Sequence, residues 1–304
     1  MKLSLKQLHY AIALADHGHF GRAAEASHVT QSALSQQIAL LEQACRVPVF
    51  DRGQRPVVPT PFGREFLARA RQLLTEADAL ETFALSASGL PDRPLRFGLI
   101  PTIAPYLLPT IYPALATARP NISLSVVERQ TDDLQTELVD GSLDLAMIAT
   151  DLPADLPLTG ESLFADPFVL ATPKDLLIAD PAPIADLPHD HLLLLEEGHC
   201  FRDQALAACG LDRNGRPHPF SATSLSTIVE FVANGQGITL LPAISLRKEA
   251  SNSRVSIHAL AAPGASRTLS LVWRRGSPFE TVFRDMATLI REATKDQLAE
   301  PISA

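Results

Sequence analysis

Long apolar runs are what this 304-residue sequence lacks. No stretch approaches the ~18 apolar residues of a membrane-spanning helix, and the opening MKLSLKQLHYAIALADHG is broken by His9, Asp16 and His17. That opening is too mixed for a secretory segment, so a cytoplasmic protein without a membrane partner is expected. Cysteine is scarce too, with only three residues. In a reducing compartment a structural disulfide is not expected. A cysteine pair there is buried filler, a metal ligand pair, an enzymatic thiol or a redox switch. Two of the three lie in GHCFRDQALAAC, residues 198–209, without the C-x2-C spacing of a zinc site. His199, adjacent to Cys200, is an awkward second ligand, so no metal or cofactor is expected. No internal repeat or low-complexity segment stands out.

An overall excess of positive charge is also missing. The net charge of −8 argues against nucleic acid until its distribution is read. Residues 1–74 hold nine Lys/Arg against five Asp/Glu, leaving the remainder of the chain strongly acidic. A basic head on an acidic body fits a DNA-binding domain joined to something else.

Periodicity says what each part is. Leu5, Leu8, Ile12 and Ala15 mark one amphipathic helix ending near Gly18, and GRAAEAS forms a second. After the turn HVT, QSALSQQIALLEQAC forms a third, with Thr30 as N-cap. This is a helix-turn-helix pattern, although a plain helical bundle with a polar face carries the same periodicity. Thr30, Gln31, Ser32, Ser35 and Gln36 are the candidate DNA-reading side chains. VFDRGQRPVVPT reads as a two-stranded wing offering Arg52 and Arg55 to phosphates. From Pro61 to Ser88 the apolar residues Phe62, Phe66, Ala70, Leu73, Ala77, Leu80 and Ala84 step by three or four, the seam of a helix that pairs with a partner. SGLPDRP then interrupts regular structure. Beyond it strands and helices alternate, predicting an α/β fold with mainly parallel sheets in two similar subdomains around a cleft.

The segment from FGRAAEAS to TPFG resembles the N-terminal domain of LysR-type transcriptional regulators. The carrying residues are Arg22-Ala23-Ala24, Thr30 to Ser35, Gln37-Ile38, Leu41-Glu42, Pro48 to Arg52 and Thr60 to Gly63. Arg46 departs from the pattern, standing where a helix-ending Gly is common. The resemblance implies a winged helix-turn-helix over 1–60, a dimerising linker helix over 61–88 and a hinge over 89–94. A two-subdomain, periplasmic-binding-protein-like α/β effector domain then covers 95–304, with subdomain I about 95–164 and 269–304 and subdomain II about 165–268. Within the family, GLIPTIAPYLLP, ERQT, LLLLEEGHCFRDQALAAC, ATSLSTI, GQGITLLPA and RTLSLVWRRGSP resemble the OxyR-type hydrogen-peroxide sensors.

That second resemblance implies that Cys200 reacts with peroxide and Cys209 resolves the product. Thr102, Thr131, His199, Arg202, Asp203 and Arg267 would form the peroxide pocket. It implies promoter DNA, hydrogen peroxide, a thiol–disulfide reductant and RNA polymerase as partners, and a homotetramer built as a dimer of dimers. A helix over 201–209 would separate the two Cα atoms by roughly 13 Å and turn the side chains to opposite sides. A disulfide needs Cα atoms within ~7 Å, so the segment would have to unwind to close it. Two other readings remain: a LysR-type regulator answering a small organic effector, with incidental cysteines, and a thiol peroxidase. The helix-turn-helix head argues against the enzyme, because turnover needs no operator contact.

Overall fold

The computed structural model describes residues 3–85, 93–184, 187, 189–211 and 221–299. It divides into two compact units, 1–87 and 88–304. Most of the expected hinge, residues 89–92, lies outside the described residues, as does the end of the chain from 300.

The first unit begins with helix α1 (Leu5–His17), opened by a capping box in which Ser4 and Gln7 satisfy each other's backbone N–H. It stops at Gly18, whose φ of 64° ends the helix in the left-handed region. Helix α2 (Phe20–Ala26) and helix α3 (Gln31–Cys45) follow, the Thr30 hydroxyl accepting from Ala33 N at 3.3 Å. Arg46 closes α3 at φ 59°, taking the left-handed conformation that glycine adopts at lower cost. Strands β1 (Phe50–Asp51) and β2 (Val58–Pro59) pair antiparallel as the wing. Glu42 ties the wing to α3, its carboxylate accepting from Val49 N at 3.0 Å and Phe50 N at 3.1 Å.

Helix α4 (Pro61–Leu85) starts against the wing. At Gly63 a Cβ would stand 1.9 Å from the Val49 carbonyl oxygen, so only glycine fits that approach. The expected seam on α4 divides. Ala70 turns inward with Leu67 and Leu74, joining Leu8, Leu14, Leu34, Ile38 and Leu41 in one core. Phe62, Leu73 and Leu80 stay exposed, Leu80 at 68 %.

The second unit is built on a sheet ordered β10-β6-β11-β5-β3-β4, with β9 also pairing β6. Its first half is β3 (Leu95–Leu99), α5 (Ala104–Ala118), β4 (Leu124–Glu128), α6 (Thr131–Asp140) and β5 (Leu145–Ile148). The long strand β6 (Leu158–Pro173) leads to β7 (Leu194–Leu195), α7 (Cys200–Ala208), β8 (Ser221–Ala222), α8 (Leu225–Ala233) and β9 (Thr239–Pro242). Then come α9 (Leu246–Glu249), β10 (Val255–Ala259), β11 (Ser266–Arg274) and α10 (Glu280–Ala299).

The sheet is mixed, which corrects the expectation of mainly parallel strands. Within it only β3 runs parallel to its neighbours, β4 and β5, while β6 is antiparallel to β9, β10 and β11. The reason lies in β6. Its first half, LTGESLFAD, buries only Leu158, Leu163 and Asp166 and carries few β-formers, so it shows no two-residue apolar period. Together β6 and β11 run the length of the unit, their register slipping once between Leu269 and Ser270. Such a slip bends paired strands and re-aims the side chains beyond it. Asp166 and Arg267, three pairs beyond it, stand directly opposite each other.

Candidate functional site

The turn before α7 decides where Cys200 sits. Gly198 has φ 92°, and a Cβ there would lie 2.3 Å from Gln130 Oε1. The backbone therefore presses on the residue that precedes α6, which brings the start of α7 to Thr131, the first residue of α6. Helix α7 begins at Cys200 and is capped by Cys209. It ends in a Schellman motif: Gly210, at φ 65°, donates to Ala207 O, and Leu211 N donates to Leu206 O at 2.9 Å. Both cysteines are free thiols, Cys200 half-buried and Cys209 buried in the main core. They occupy opposite ends of one intact helix, so the ~13 Å rise holds them too far apart to bond.

Arg267 links Cys200 to the rest of the unit. It is buried, and its Nε donates to Asp166 Oδ2 at 2.9 Å. Its Nη1 donates to the Thr102 hydroxyl at 2.8 Å and its Nη2 to the Thr102 carbonyl at 3.0 Å. The guanidinium lies 5.2 Å from the ring of Phe201, the residue after Cys200. Phe201 in turn meets Phe168 edge-on at 5.1 Å. Three segments thus converge on α7: the loop after β3, the β6–β11 pair and the start of α6.

The thiol of Cys200 is pushed above its usual range, chiefly by burial. Thr131, Arg267 and the backbone N–H of Phe201 pull the other way, favouring thiolate, while the Asp203 carboxylate adds to the rise. The Thr131 hydroxyl is buried without a conventional hydrogen-bond partner, and the thiol is its near neighbour. A helix N-terminus and a nearby arginine favour the thiolate. The favourable contributions are present, but in this resting structure desolvation exceeds them. Alkylation of Cys200 by iodoacetamide should therefore keep rising by about tenfold per pH unit through neutrality. A plateau below about pH 8 in the alkylation rate would contradict a thiol held above its usual range.

His199 is buried, and burial pushes its pKa down against the opposing pull of Glu196 and Glu128. Its Nε2 lies 3.8 Å from Glu196 Oε1. Arg202 donates to Leu195 O at 3.0 Å. Cys209 is also raised by burial. Thr102, Thr131, Arg267 and Cys200 are thus brought together, with His199 and Asp203 flanking them. Asp166, Phe201 and Gln130 belong to the same construction and were not found from sequence.

In the first unit Thr30, Gln31, Ser32 and Gln36 are exposed along the start of α3, and Ser35 is half-buried. Arg55 is exposed in the wing turn. Arg52 is already engaged within the protein, pairing with Glu42 at 2.7 Å and lying 5.6 Å from the Phe20 ring. Among the described residues there is no group of three His, Cys, Asp or Glu able to hold a metal, and no helix is long and apolar enough to cross a membrane.

Residues 5–64 match the bacterial regulatory helix-turn-helix protein, lysR family, and residues 88–295 match the LysR substrate binding domain. The chain belongs to the LysR family. It is 38 % identical to the DNA-binding transcriptional dual regulator OxyR of Escherichia coli K12, over 95 % of each chain. It is 39 % identical to a probable hydrogen peroxide-inducible genes activator of Mycobacterium avium, covering 94 % of this chain and 93 % of that one. Among solved structures, full-length OxyR of Pseudomonas aeruginosa with a Cys→Asp substitution matches at TM-score 0.77 and 33 % identity, covering 95 % of this chain and 98 % of that one. A hydrogen peroxide-bound Cys→Ser mutant of Corynebacterium glutamicum OxyR matches at TM-score 0.63 and 30 % identity, covering 98 % and 96 %. This LysR-family chain therefore carries its free cysteine pair in the same family of folds as named peroxide-responsive regulators.

Proposed function

We propose that this LysR-family protein is a DNA-binding transcriptional regulator that answers hydrogen peroxide through Cys200 and Cys209. The observation that carries the reading is the position of Cys200 at the first turn of α7, within the influence of Thr131 and Arg267 and with Cys209 closing the same helix. The relatives' names supply the oxidant's identity.

The Cys200 thiolate attacks one oxygen of peroxide. An S–O bond forms as the O–O bond breaks, sulfur supplies two electrons, and the departing hydroxide takes a proton to become water. Thr102 and Arg267 hold the peroxide, and His199, kept neutral by burial, lies beside the leaving oxygen. The Cys209 thiol then displaces the hydroxyl of the sulfenic acid, giving a disulfide and a second water. A dithiol reductant returns two electrons by exchange. The disulfide requires α7 to unwind, so oxidation exchanges one arrangement of the unit for another. The exposed start of α3 reads base edges, with Arg55 on phosphate. Arg52 contributes mainly by holding the wing on Glu42.

Peptide mapping after peroxide treatment tests this. A Cys200–Cys209 linkage is expected in wild type, no peroxide response in Cys200→Ser, and a sulfenic acid trapped by dimedone in Cys209→Ser. Absence of the linkage in wild-type protein would sink the proposal. A response to a metabolite in the double mutant would transfer the function to a small-molecule effector.

A further inference from the structure

Among the described residues Asp166 is the fully buried carboxylate in contact with Arg267, and the reaction scheme above gives it no part. It does not touch the thiol through any hydrogen bond of its own. Its Oδ2 accepts from Arg267 Nε and its Oδ1 from Ile244 N at 3.0 Å, so both oxygens are fixed. The pair is made inside the sheet, because Asp166 on β6 and Arg267 on β11 are cross-strand partners.

A guanidinium has five N–H donors in one plane. Asp166 takes the single Nε–H, and Thr102 takes one from each terminal nitrogen. Two N–H groups remain, one on each terminal nitrogen and on different edges of the plane. The long arginine side chain has several rotatable bonds, and one Nε contact with a rigid carboxylate removes most of that freedom. We propose that Asp166 is a positioning residue for peroxide reduction at Cys200: it locks the plane of Arg267 so that an uncommitted terminal N–H meets the leaving oxygen of peroxide as the O–O bond breaks. This rests on the reading of Cys200 as the peroxide-reacting thiol. The chemistry is unchanged: sulfur still gives the electron pair, and the leaving oxygen still departs as water. Asp166 acts only through Arg267.

The test compares two electrophiles on the full-length protein. Asp166→Asn keeps the shape and one acceptor but loses the charge that fixes Nε. The rate of Cys200 thiol loss to hydrogen peroxide should fall about 10- to 100-fold, the scale expected when a positioned group drifts by an ångström. The rate with iodoacetamide, which needs no oriented arginine, should stay within about threefold. On an Arg267→Lys background, where there is no fork to aim, Asp166→Asn should add nothing further. Equal losses with both reagents, an unchanged peroxide rate, or full additivity on the Lys background would overturn the role of Asp166. If Asp166→Asn proves too unstable to assay, Asp166→Glu, which keeps the charge but displaces it, replaces it in the same comparison, with the peroxide rate expected to fall and the iodoacetamide rate to hold. A wild-type peroxide rate no higher than that of free cysteine would overturn the peroxide reading and this inference with it. That outcome is told apart by wild type alone.

Discussion

Arg267→Met is expected to lower the stability of the 88–304 unit by about 3–5 kcal/mol, the scale of breaking one side of a buried ion pair. The substitution keeps an unbranched apolar stem, shorter than that of arginine, and removes the charge. It leaves Asp166 with no cation, in a place where the carboxylate has no exposure. It also strips donors from the Thr102 hydroxyl and carbonyl. Burial already pushes the Asp166 carboxyl upward against the pull of Arg267, so in the variant it binds a proton more readily still. The sign of the pH effect follows. A carboxyl raised in the folded state stabilises below its unfolded pKa and loses that contribution as pH rises through its folded pKa. The variant's deficit should therefore shrink on going from neutral to mildly acid pH. Adding Asp166→Leu removes the orphaned charge and should recover most of the loss. Urea midpoints at constant m would show both effects. A cost under about 1 kcal/mol for Arg267→Met would mean that the pair is not buried as described. Peroxide reactivity should stay lost in the repaired double variant, which separates what the pair does for stability from what Arg267 does for chemistry.

Local signals carried much of this molecule. The Thr30 cap, the Gly18 stop and a helix between the two cysteines all follow from neighbours within a few positions, and the structure has each, the last as Cys200–Ala208. So did the distance between the cysteines, since a helix fixes it by count. What was hidden is long-range. Asp166 lies 101 residues from Arg267, and nothing in the local stretch FADPF announces a cross-strand partner. The depth of Cys200 was hidden for the same reason. Sequence shows the helix start and the arginine, both of which favour thiolate, but the packing of distant segments that desolvates the thiol comes only with the fold. On α4 a run stepping by three and four looked like one seam. Packing against α1 turned Ala70 to the core and left Leu73 and Leu80 outside. Arg52 illustrates a different gap: an exposed arginine beside a helix expected to read DNA invites a phosphate, yet here a glutamate ten residues earlier already holds it.

Phe201→Ala should speed closure of the disulfide while weakening the reduced protein. Phe201 is 3 % exposed, with its ring against Phe168 on one side and Arg267 on another. It is the anchor that keeps the first turn of α7 docked, and truncating such a ring costs about 3–5 kcal/mol. If Cys200 and Cys209 can meet only after α7 unwinds, the anchor opposes the step from sulfenic acid to disulfide. The fraction of that cost relieved in the unwound state reappears as rate, and ~3 kcal/mol relieved in full corresponds to roughly 100-fold. Phe201→Leu, which fills more of the site, should fall between wild type and Ala in both stability and closure rate. Rapid quenching after a peroxide pulse, followed by mapping of sulfenic acid and disulfide, gives the closure rate directly. A closure rate that is unchanged, or that falls with stability across the Phe, Leu, Ala series, would mean that the cysteines approach each other without releasing this turn. The intact helix would then not be the barrier. An inverse relation between the stability of the reduced fold and the speed of closure is the signature of a helix that must come undone before its two ends can join.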